Sequence, residues 1–269
     1  MTLATRFLPR FDSDAAAGIA AVLAAGGTLS GAHQSALNTF IVGLKDNGLW
    51  SGFFGLYLFV GATAASHAVN WKSPGTYNVT WANSPTHDAN GVTGNGTTSY
   101  GYTTGLTGTQ TGNLLGLSVY NRTTNSSSTG AQKRLIGNGA AGSAIVHFIE
   151  YVDNTGLEQN RGVLGSPANI ATDSSATQKT GLLSVNRTAN NNFKGYHNGS
   201  QYLTNTTSDS NAPHTVPFAI LAVNIDTTFM SHAPENLAFA AVHSAHSAAN
   251  ASTLNTLVQA LQTALGRNV

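Results

Sequence analysis

The stretch "FKGYHNGSQYL" at residues 193–203 decides how the chain is read. Asn198-Gly199 stands between two short runs that alternate aromatic with small or polar residues. A type I′ turn needs φ > 0 at both central positions, and Asn-Gly meets that need at little steric cost. The stretch therefore predicts a β-hairpin. Phe193, Lys194, Gly195 and Tyr196 lead in; Gln201, Tyr202 and Leu203 lead out. Tyr196 and Ser200 are expected near each other, with Tyr202 one pleat further along. Asn198-Gly199 is expected to serve the fold rather than any chemistry.

Similar turn signals recur on both sides of this hairpin: Ser73-Pro74-Gly75, Asn90-Gly91, Asn95-Gly96 and Asn138-Gly139. Between them lie strand-like runs at residues 76–81, 114–122, 144–152, 182–188 and 216–223. Many short strands with frequent turns indicate a sandwich or barrel rather than alternating strands and helices. Pro217 marks the start or an edge of its strand. The segments "LSVYNRT" (117–123) and "LSVNRT" (183–188) echo each other and read as two similar strands of one sandwich.

The two ends are helical in pattern. Asp12-Ser13-Asp14 can cap a helix through Ala15, Ile19, Val22 and Leu23, which Gly26-Gly27 ends. Ser30 can cap a second helix with an apolar stripe at Leu37, Phe40, Ile41 and Leu44, stopped by Asn47-Gly48. Near the C-terminus, Ser247 is an N-cap, Leu254, Leu257, Val258, Leu261 and Leu265 form the stripe, and Gly266 is the stop. The expected organisation is a helical segment at 1–48, a β-sandwich at 49–246 and a helix at 247–269 that belongs to the sandwich. A two-helix hairpin this short cannot bury its stripe alone, so it is expected to attach to the sandwich or to a neighbouring subunit.

Composition narrows the function. Charged residues are only 9% of the 269, against roughly 25% in an average domain, and hydrophobic residues are 41%. Gly, Ser, Thr and Asn fill the difference, which suits strands and turns and argues against disorder. With net charge +1 and no basic run, no nucleic-acid partner is expected. The absence of cysteine excludes disulfides, thiolate chemistry and Cys-type zinc sites. The first residues lack the apolar core of a signal peptide, and the apolar stretch 49–65 is too short and broken for a membrane span. A soluble chain without membrane insertion is expected.

The later half of the chain resembles concanavalin A-like (laminin G-like) jelly-roll domains. The resemblance lies in Val185-Asn186-Arg187-Thr188, in the hairpin from Lys194 to Gly199, and in the apolar runs 218–223 and 237–242. A version encoded in bacteriophage and prophage genomes is similar at both ends, in "SALNTFIVGLKDNGLW" (35–50) and "LVQALQTALGRNV" (257–269), and in the segment 95–100. The resemblance implies a mainly β fold: a jelly-roll sandwich of two antiparallel sheets with an N-terminal helical hairpin and a C-terminal helix. It also implies a non-enzymatic virion structural protein of a capsid, head fibre or tail, assembled in the host bacterial cytoplasm. Other virion proteins would be its partners, with self-association into a homo-oligomer. The alternative is a carbohydrate-binding module that recognises a host-surface glycan, and behind it a polysaccharide hydrolase.

Many sandwiches of this superfamily are glucanases that carry alternating carboxylates on one strand. Here the only Glu residues are Glu150, Glu158 and Glu235, and none sits in such an alternation. Glu150 and Asp153 are an odd number of residues apart and point to opposite faces of a regular strand. No catalytic residue is assigned. His243 and His246, with His232 upstream, could offer metal ligands, but no acidic third ligand is near; loop or surface histidines are favoured, and no metal or cofactor is expected. Asp88-Ala89-Asn90 reads as an Asx-rich turn more readily than as a calcium site. Among the aromatics, Trp71, Tyr77, Trp81, Tyr100 and Tyr102 occur close in sequence, and the Trp residues are read as core. Tyr196 and Tyr202, flanking the hairpin turn, are more open and are the candidate carbohydrate-binding residues.

Overall fold

In the computed structural model the described residues are 11–112, 114–123, 132–140, 146–154, 157–166, 169–174, 179–209 and 214–269. Helices α1 (Ser13–Ala24) and α2 (Gly31–Asp46) precede strand β1 (Phe53–Tyr57). The one-turn helix α3 (Ala64–His67) leads to β2 (Val79–Ala82), β3 (Thr86–Asp88), β4 (Gly91–Thr93) and β5 (Tyr100–Thr107). After the one-turn helix α4 (Gly108–Thr111) come β6 (Leu115–Asn121), β7 (Gln132–Gly139), β8 (Val146–Asn154), β9 (Leu157–Gly165) and β10 (Ala171–Asp173). The hairpin strands β11 (Gly181–Ala189), β12 (Asn192–His197) and β13 (Ser200–Asn205) follow. The chain closes with β14 (Pro217–Ile220), β15 (Val223–Ile225), β16 (Thr228–Met230), β17 (Asn236–Ser244) and α5 (Ala248–Ala264).

The strands form two sheets. Sheet A runs β13-β12-β11-β6-β17-β4-β3, with β1 also paired to β17; sheet B runs β10-β9-β8-β7-β14-β5-β2, with the β15–β16 ribbon attached to β7. All pairings among the described strands are antiparallel except β15 with β7. The crossovers between the sheets make a jelly-roll sandwich, as the resemblance implied.

Sheet A is covered on both faces. Leu117, Val119, Leu183, Val185 and Val242 point into the core shared with sheet B, where they meet Leu135, Ile149 and Phe218. Their neighbours Tyr120, Leu182, Ala238, Phe239 and Ala241 point the other way and meet Ile41, Leu44, Leu254 and Val258 from the helices. This explains why β6 and β11 read as nearly unbroken buried runs instead of alternating ones. The helices thus lie on this chain's own sandwich. No described helix is long and apolar enough to cross a membrane.

The local signals at the helix ends act as read. Asp12, Ser30 and Ser247 each accept a first-turn backbone N–H on the side chain. At the far end of α5, Arg267 N–H donates to Gln262 C=O at 2.9 Å and Gly266 N–H to Thr263 C=O at 3.0 Å, the paired bonds of a Schellman motif. Gly266 holds φ +69°, which a glycine adopts without strain. The same pair of bonds ends α1 and α2, at Gly26-Gly27 and Gly48-Leu49.

One turn signal is corrected. Asn138-Gly139 closes strand β7 rather than forming a turn. The Asn138 side chain is fully buried and fixed by tertiary bonds, donating to Val216 C=O at 2.8 Å and meeting His147 Nδ1 at 2.9 Å. Those bonds outweigh the local turn preference.

The hairpin of residues 193–203 is present, with Asn198 at φ +47° and Gly199 at φ +79°. Its tip is docked. Asn198 N–H donates to Leu182 C=O, and Leu182 N–H donates to Asn198 Oδ1, both at 2.9 Å. A Cβ on Gly199 would stand 3.3 Å from Ser252 Cα of α5. Gly199→Val is expected to cost about 1–2 kcal/mol in backbone strain alone, with a further loss from crowding α5. Urea unfolding of the variant checks this; an unchanged midpoint would show that the tip carries no structural role.

Candidate functional site

A partly exposed aromatic cluster lies on the outer face of sheet B. Along β5 the burial alternates: Gly101 and Thr103 turn inward, Tyr100 and Tyr102 outward. The ribbon β15–β16 turns at Asp226-Thr227, both with positive φ (47° and 72°), and carries Phe229 back over these tyrosines. The Phe229 ring stacks on Tyr100 with centroids 4.0 Å apart and planes at 15°, and lies 5.5 Å from Tyr102. His232 sits 5.8 Å from Tyr100, and partial burial holds its imidazole below its ordinary pKa. Thr80 of β2 stands directly across from Tyr102, and its hydroxyl meets that of Thr104 at 3.0 Å. All four rings remain part-exposed, and Met230 beside them is 39% exposed. The result is a part-exposed aromatic platform, built on a stacked pair, with hydroxyls at its side. Tyr100 and Tyr102 were visible in the sequence as a pair; Phe229 was missed, because an Asp-Thr turn lacks the Asn-Gly signature of a hairpin.

The two tyrosines expected to flank the hairpin turn do not form a shared open face. Tyr196 pairs with Gln201, and His197 with Ser200, one step from the pairing expected between Tyr196 and Ser200. A bulge follows, so Gly195 pairs with Leu203 and Tyr202 is the extra residue. Tyr202 consequently packs against the inter-sheet core with its hydroxyl buried. The Lys179 ammonium lies 5.5 Å from the centre of its ring. Burial and the Asp173 carboxylate push its phenol pKa upward. Tyr196 faces the helix side of sheet A, is only 4% exposed, and lines a groove with His246 and Ser247.

Of the histidines expected in loops or on the surface, His232 is partly exposed in a loop, whereas His243 and His246 are buried. His243 is fully buried in β17; its Nδ1 lies 2.8 Å from Ser244 C=O and its Nε2 lies 2.8 Å from Ser118 Oγ. A carbonyl only accepts, so Nδ1 carries the proton and the Ser118 hydroxyl donates to Nε2. Gly116 leaves the space this ring occupies. His246 stacks on His243 with centroids 4.0 Å apart. Two stacked neutral imidazoles are a packing unit, not a pair of converging ligands. A second pair, His67 and His87, shares one short contact between Nδ1 atoms at 3.0 Å beside Trp81. Among the described residues no three His, Asp or Glu side chains converge as metal ligands.

Most of the described carboxylates are engaged. Glu150 is fully buried between two guanidiniums, Arg134 Nε at 2.6 Å and Arg161. Asp209 receives Ser166 N–H and faces Arg187; Asp173 pairs with Lys179 at 2.9 Å. Asp88 accepts Asn90 N–H at 2.8 Å, the Asx turn read from the sequence. The side chains of Asp153 and Glu158 lie outside the described residues. Trp71 is core at 1% exposure, as expected, and Trp81 is partly buried.

The sequence matches no protein-family model and no curated protein. Solved structures share the fold at low identity. A Trypanosoma rangeli sialidase mutant displaying trans-sialidase activity superposes with TM-score 0.54 at 11% identity, covering 84% of this chain and 39% of that one. The sialidase complexed with 2,3-difluorosialic acid gives 0.51 at 15% identity, covering 82% and 38%. Botulinum neurotoxin type C, whose cell entry depends on interaction with two ganglioside molecules, gives 0.53 at 10% identity, covering 80% and 53%. These likenesses establish the β-sandwich fold. The chain spans about two-fifths of the sialidase chains, at 38–39%, and 53% of the toxin chain.

The buried histidines make an acid-sensitive protein. His67, His147, His243 and His246 are at most 4% exposed. Burial lowers them to about 3 (His67 and His147), to about 4 (His246) and well below 6.5 (His243). Their unfolded counterparts titrate near 6.5, so below that pH the unfolded chain binds more protons and stability falls. The loss deepens down to about pH 4 and approaches about 1.4 kcal/mol per pH unit for each such histidine. Urea midpoints measured from pH 7.5 to pH 4.5 should fall steadily below about pH 6.5; a flat profile down to pH 5 would contradict the buried neutral state.

Proposed function

We propose that this chain is a non-enzymatic glycan-recognition module whose contact surface is the platform of Tyr100, Tyr102 and Phe229. The carrying observation is the stacked, part-exposed pair of Tyr100 and Phe229 at 4.0 Å on an otherwise charge-poor surface. Such rings present a rigid apolar face with a wet edge, and Thr80 and Thr104 add hydroxyls where a sugar's hydroxyls would lie. A preformed surface loses little entropy on binding, which favours affinity for small, polar ligands.

The engagement of the carboxylates supports a binding role over a hydrolytic one. Glycoside hydrolysis uses a pair of carboxyl groups, one of them free to exchange a proton. Glu150 is locked by Arg134 and Arg161, which occupy both of its carboxylate oxygens and leave neither facing an open cleft. A virion setting, with the module displayed on a capsid or tail and self-associated, fits the resemblance at the two ends of the chain. Mass spectrometry of purified particles tests that setting separately.

The purified chain is expected to bind neutral or acidic glycans on an array. Tyr100→Ala and Phe229→Ala should each weaken that binding roughly tenfold or more, about 1.4 kcal/mol, while Tyr202→Phe leaves it unchanged. No glycan bound above background, or full binding by both alanine variants, would refute the assignment. Release of reducing sugar from a bound polysaccharide would refute the non-enzymatic part.

A further inference from the structure

A second polar site lies on the opposite side of the sandwich, on the helix-facing surface of sheet A. A groove of about 210 Å³ opens beside the first turn of α5. Its floor is made by Asn186 and Thr188 of β11 and by Lys194 and Tyr196 of β12; His246 and Ser247 form the wall. The floor follows from register: Asn186 pairs with Lys194, and Ser184 with Tyr196, so these side chains share one face.

Three observations converge on a negative ligand. First, no carboxylate lines the groove, and among the described residues lining it Lys194 is the one charged side chain. Second, α5 is 17 residues long and starts at the wall of the groove. Its N-cap Ser247 Oγ is already used by Asn250 N–H at 3.2 Å. The amides of Ala248 and Ala249 have no acceptor within the helix, and the helix end carries roughly half a positive charge. Third, His246 is only 4% exposed and its Nδ1 is buried with no hydrogen-bond partner. The rest of that residue is fixed. Its backbone N–H donates to Asn186 Oδ1 at 2.8 Å, and its ring lies on His243 with planes at 17°. Asn186 is held in turn by its bond to Ser184 Oγ at 2.8 Å. A buried ring nitrogen without a partner is uncommon in a finished structure, and the residue that carries it lines the groove.

We propose that this groove binds the carboxylate of an acidic sugar, the anion lying between Lys194, His246 and the first-turn amides of α5. Asn192 and Thr188, already bonded to each other at 2.9 Å, meet the ring hydroxyls. The charge balance selects a monoanion: one ammonium and a helix end offset a single negative charge, and a phosphate dianion would remain in excess. The volume selects a single sugar unit, since pockets for drug-sized ligands run to roughly 300–1,000 Å³. Tyr196 contributes to the floor of this groove rather than an exposed stacking surface. Burial keeps His246 neutral down to about pH 4, so at neutral pH it offers an N–H rather than a second cation. The inference extends the glycan reading to an acidic sugar, but it stands on residues separate from the aromatic platform.

The test is an NMR titration of the full-length 15N-labelled chain with sodium glucuronate, glucose, sodium acetate and inorganic phosphate in parallel. Glucuronate is expected to shift the amides of Ala248, Ala249 and Lys194 and to raise the His246 pKa. Acetate should do the same more weakly, and glucose should not. Lys194→Gln should weaken glucuronate binding at least tenfold with an unchanged unfolding midpoint, and Lys194→Arg should restore most of it. Tyr102→Ala should leave this binding intact, even where it abolishes glycan capture by the platform. Equal response to glucose, stronger response to phosphate, undiminished binding by Lys194→Gln, or no shift at these amides would each overturn the proposal.

Discussion

The guanidinium of Arg267 fixes the relation between the helices and the sandwich. It is fully buried and faces no carboxylate partner among the described residues. It donates instead to Gln262 Oε1 at 2.6 Å, to Phe59 C=O at 2.8 Å, and to Leu58 and Ala238 C=O at 2.6 and 3.0 Å. Removing a cation from water costs several kcal/mol. Four charge-assisted bonds, each worth about 1.5–3 kcal/mol, offset that loss. The negative end of α5 adds to it. Burial, with Arg122 nearby, lowers its pKa to about 9, which leaves it charged at neutral pH. Arg122 in turn donates to Arg267 C=O at 2.6 Å, and Val269 N–H donates to Tyr120 at 2.9 Å. The segment after α5 is therefore sewn into β6 and β17. With that end fixed, the N-terminus of α5 stands beside β11 and β12, the hairpin tip has Ser252 to rest on, and the groove acquires its wall.

Much of this was legible where the controlling chemistry is local. Asp12, Ser30 and Ser247 announce three helix starts, and Gly26, Gly48 and Gly266 three stops, because a cap satisfies backbone groups within its own turn. Asn198-Gly199 announces a turn for the same reason. The paired strands β6 and β11 were legible from their apolar runs, though the cause of those runs, burial on both faces, belongs to the tertiary structure. Asn138-Gly139 shows the limit. Its local preference is a turn, yet the Asn138 amide is satisfied from two distant segments, and long-range bonds decide.

The sites were less legible, for a related reason. The platform joins residues of β5 to Phe229 of β16, and the groove joins β11 and β12 to the start of α5. Neither pairing has a fixed sequence spacing. His243 and His246 looked like surface residues because imidazole is polar; Gly116 and Ser118, far away in sequence, provide the cavity and the bond that let His243 go inside. Tyr202 looked open because the expected pairing set Tyr196 opposite Ser200; with Tyr196 paired to Gln201 instead, and one extra residue before Leu203, it packs against the inter-sheet core.

What remains on the surface follows from how charge is distributed. Lys45 takes both Asp12 and Asp14, Glu150 takes Arg134 and Arg161, and Asp173 takes Lys179. With so few ionised groups and so many of them paired, the long-range field is weak, and steering of a charged partner contributes little. Recognition then depends on short-range complementarity: ring faces, hydroxyls and amides for uncharged groups, and a single unpaired cation beside a helix end for a charged one. Lys194 matters because it lies in a groove without carboxylates on a charge-poor protein. The same lysine on an average surface would be one cation among many and would discriminate nothing.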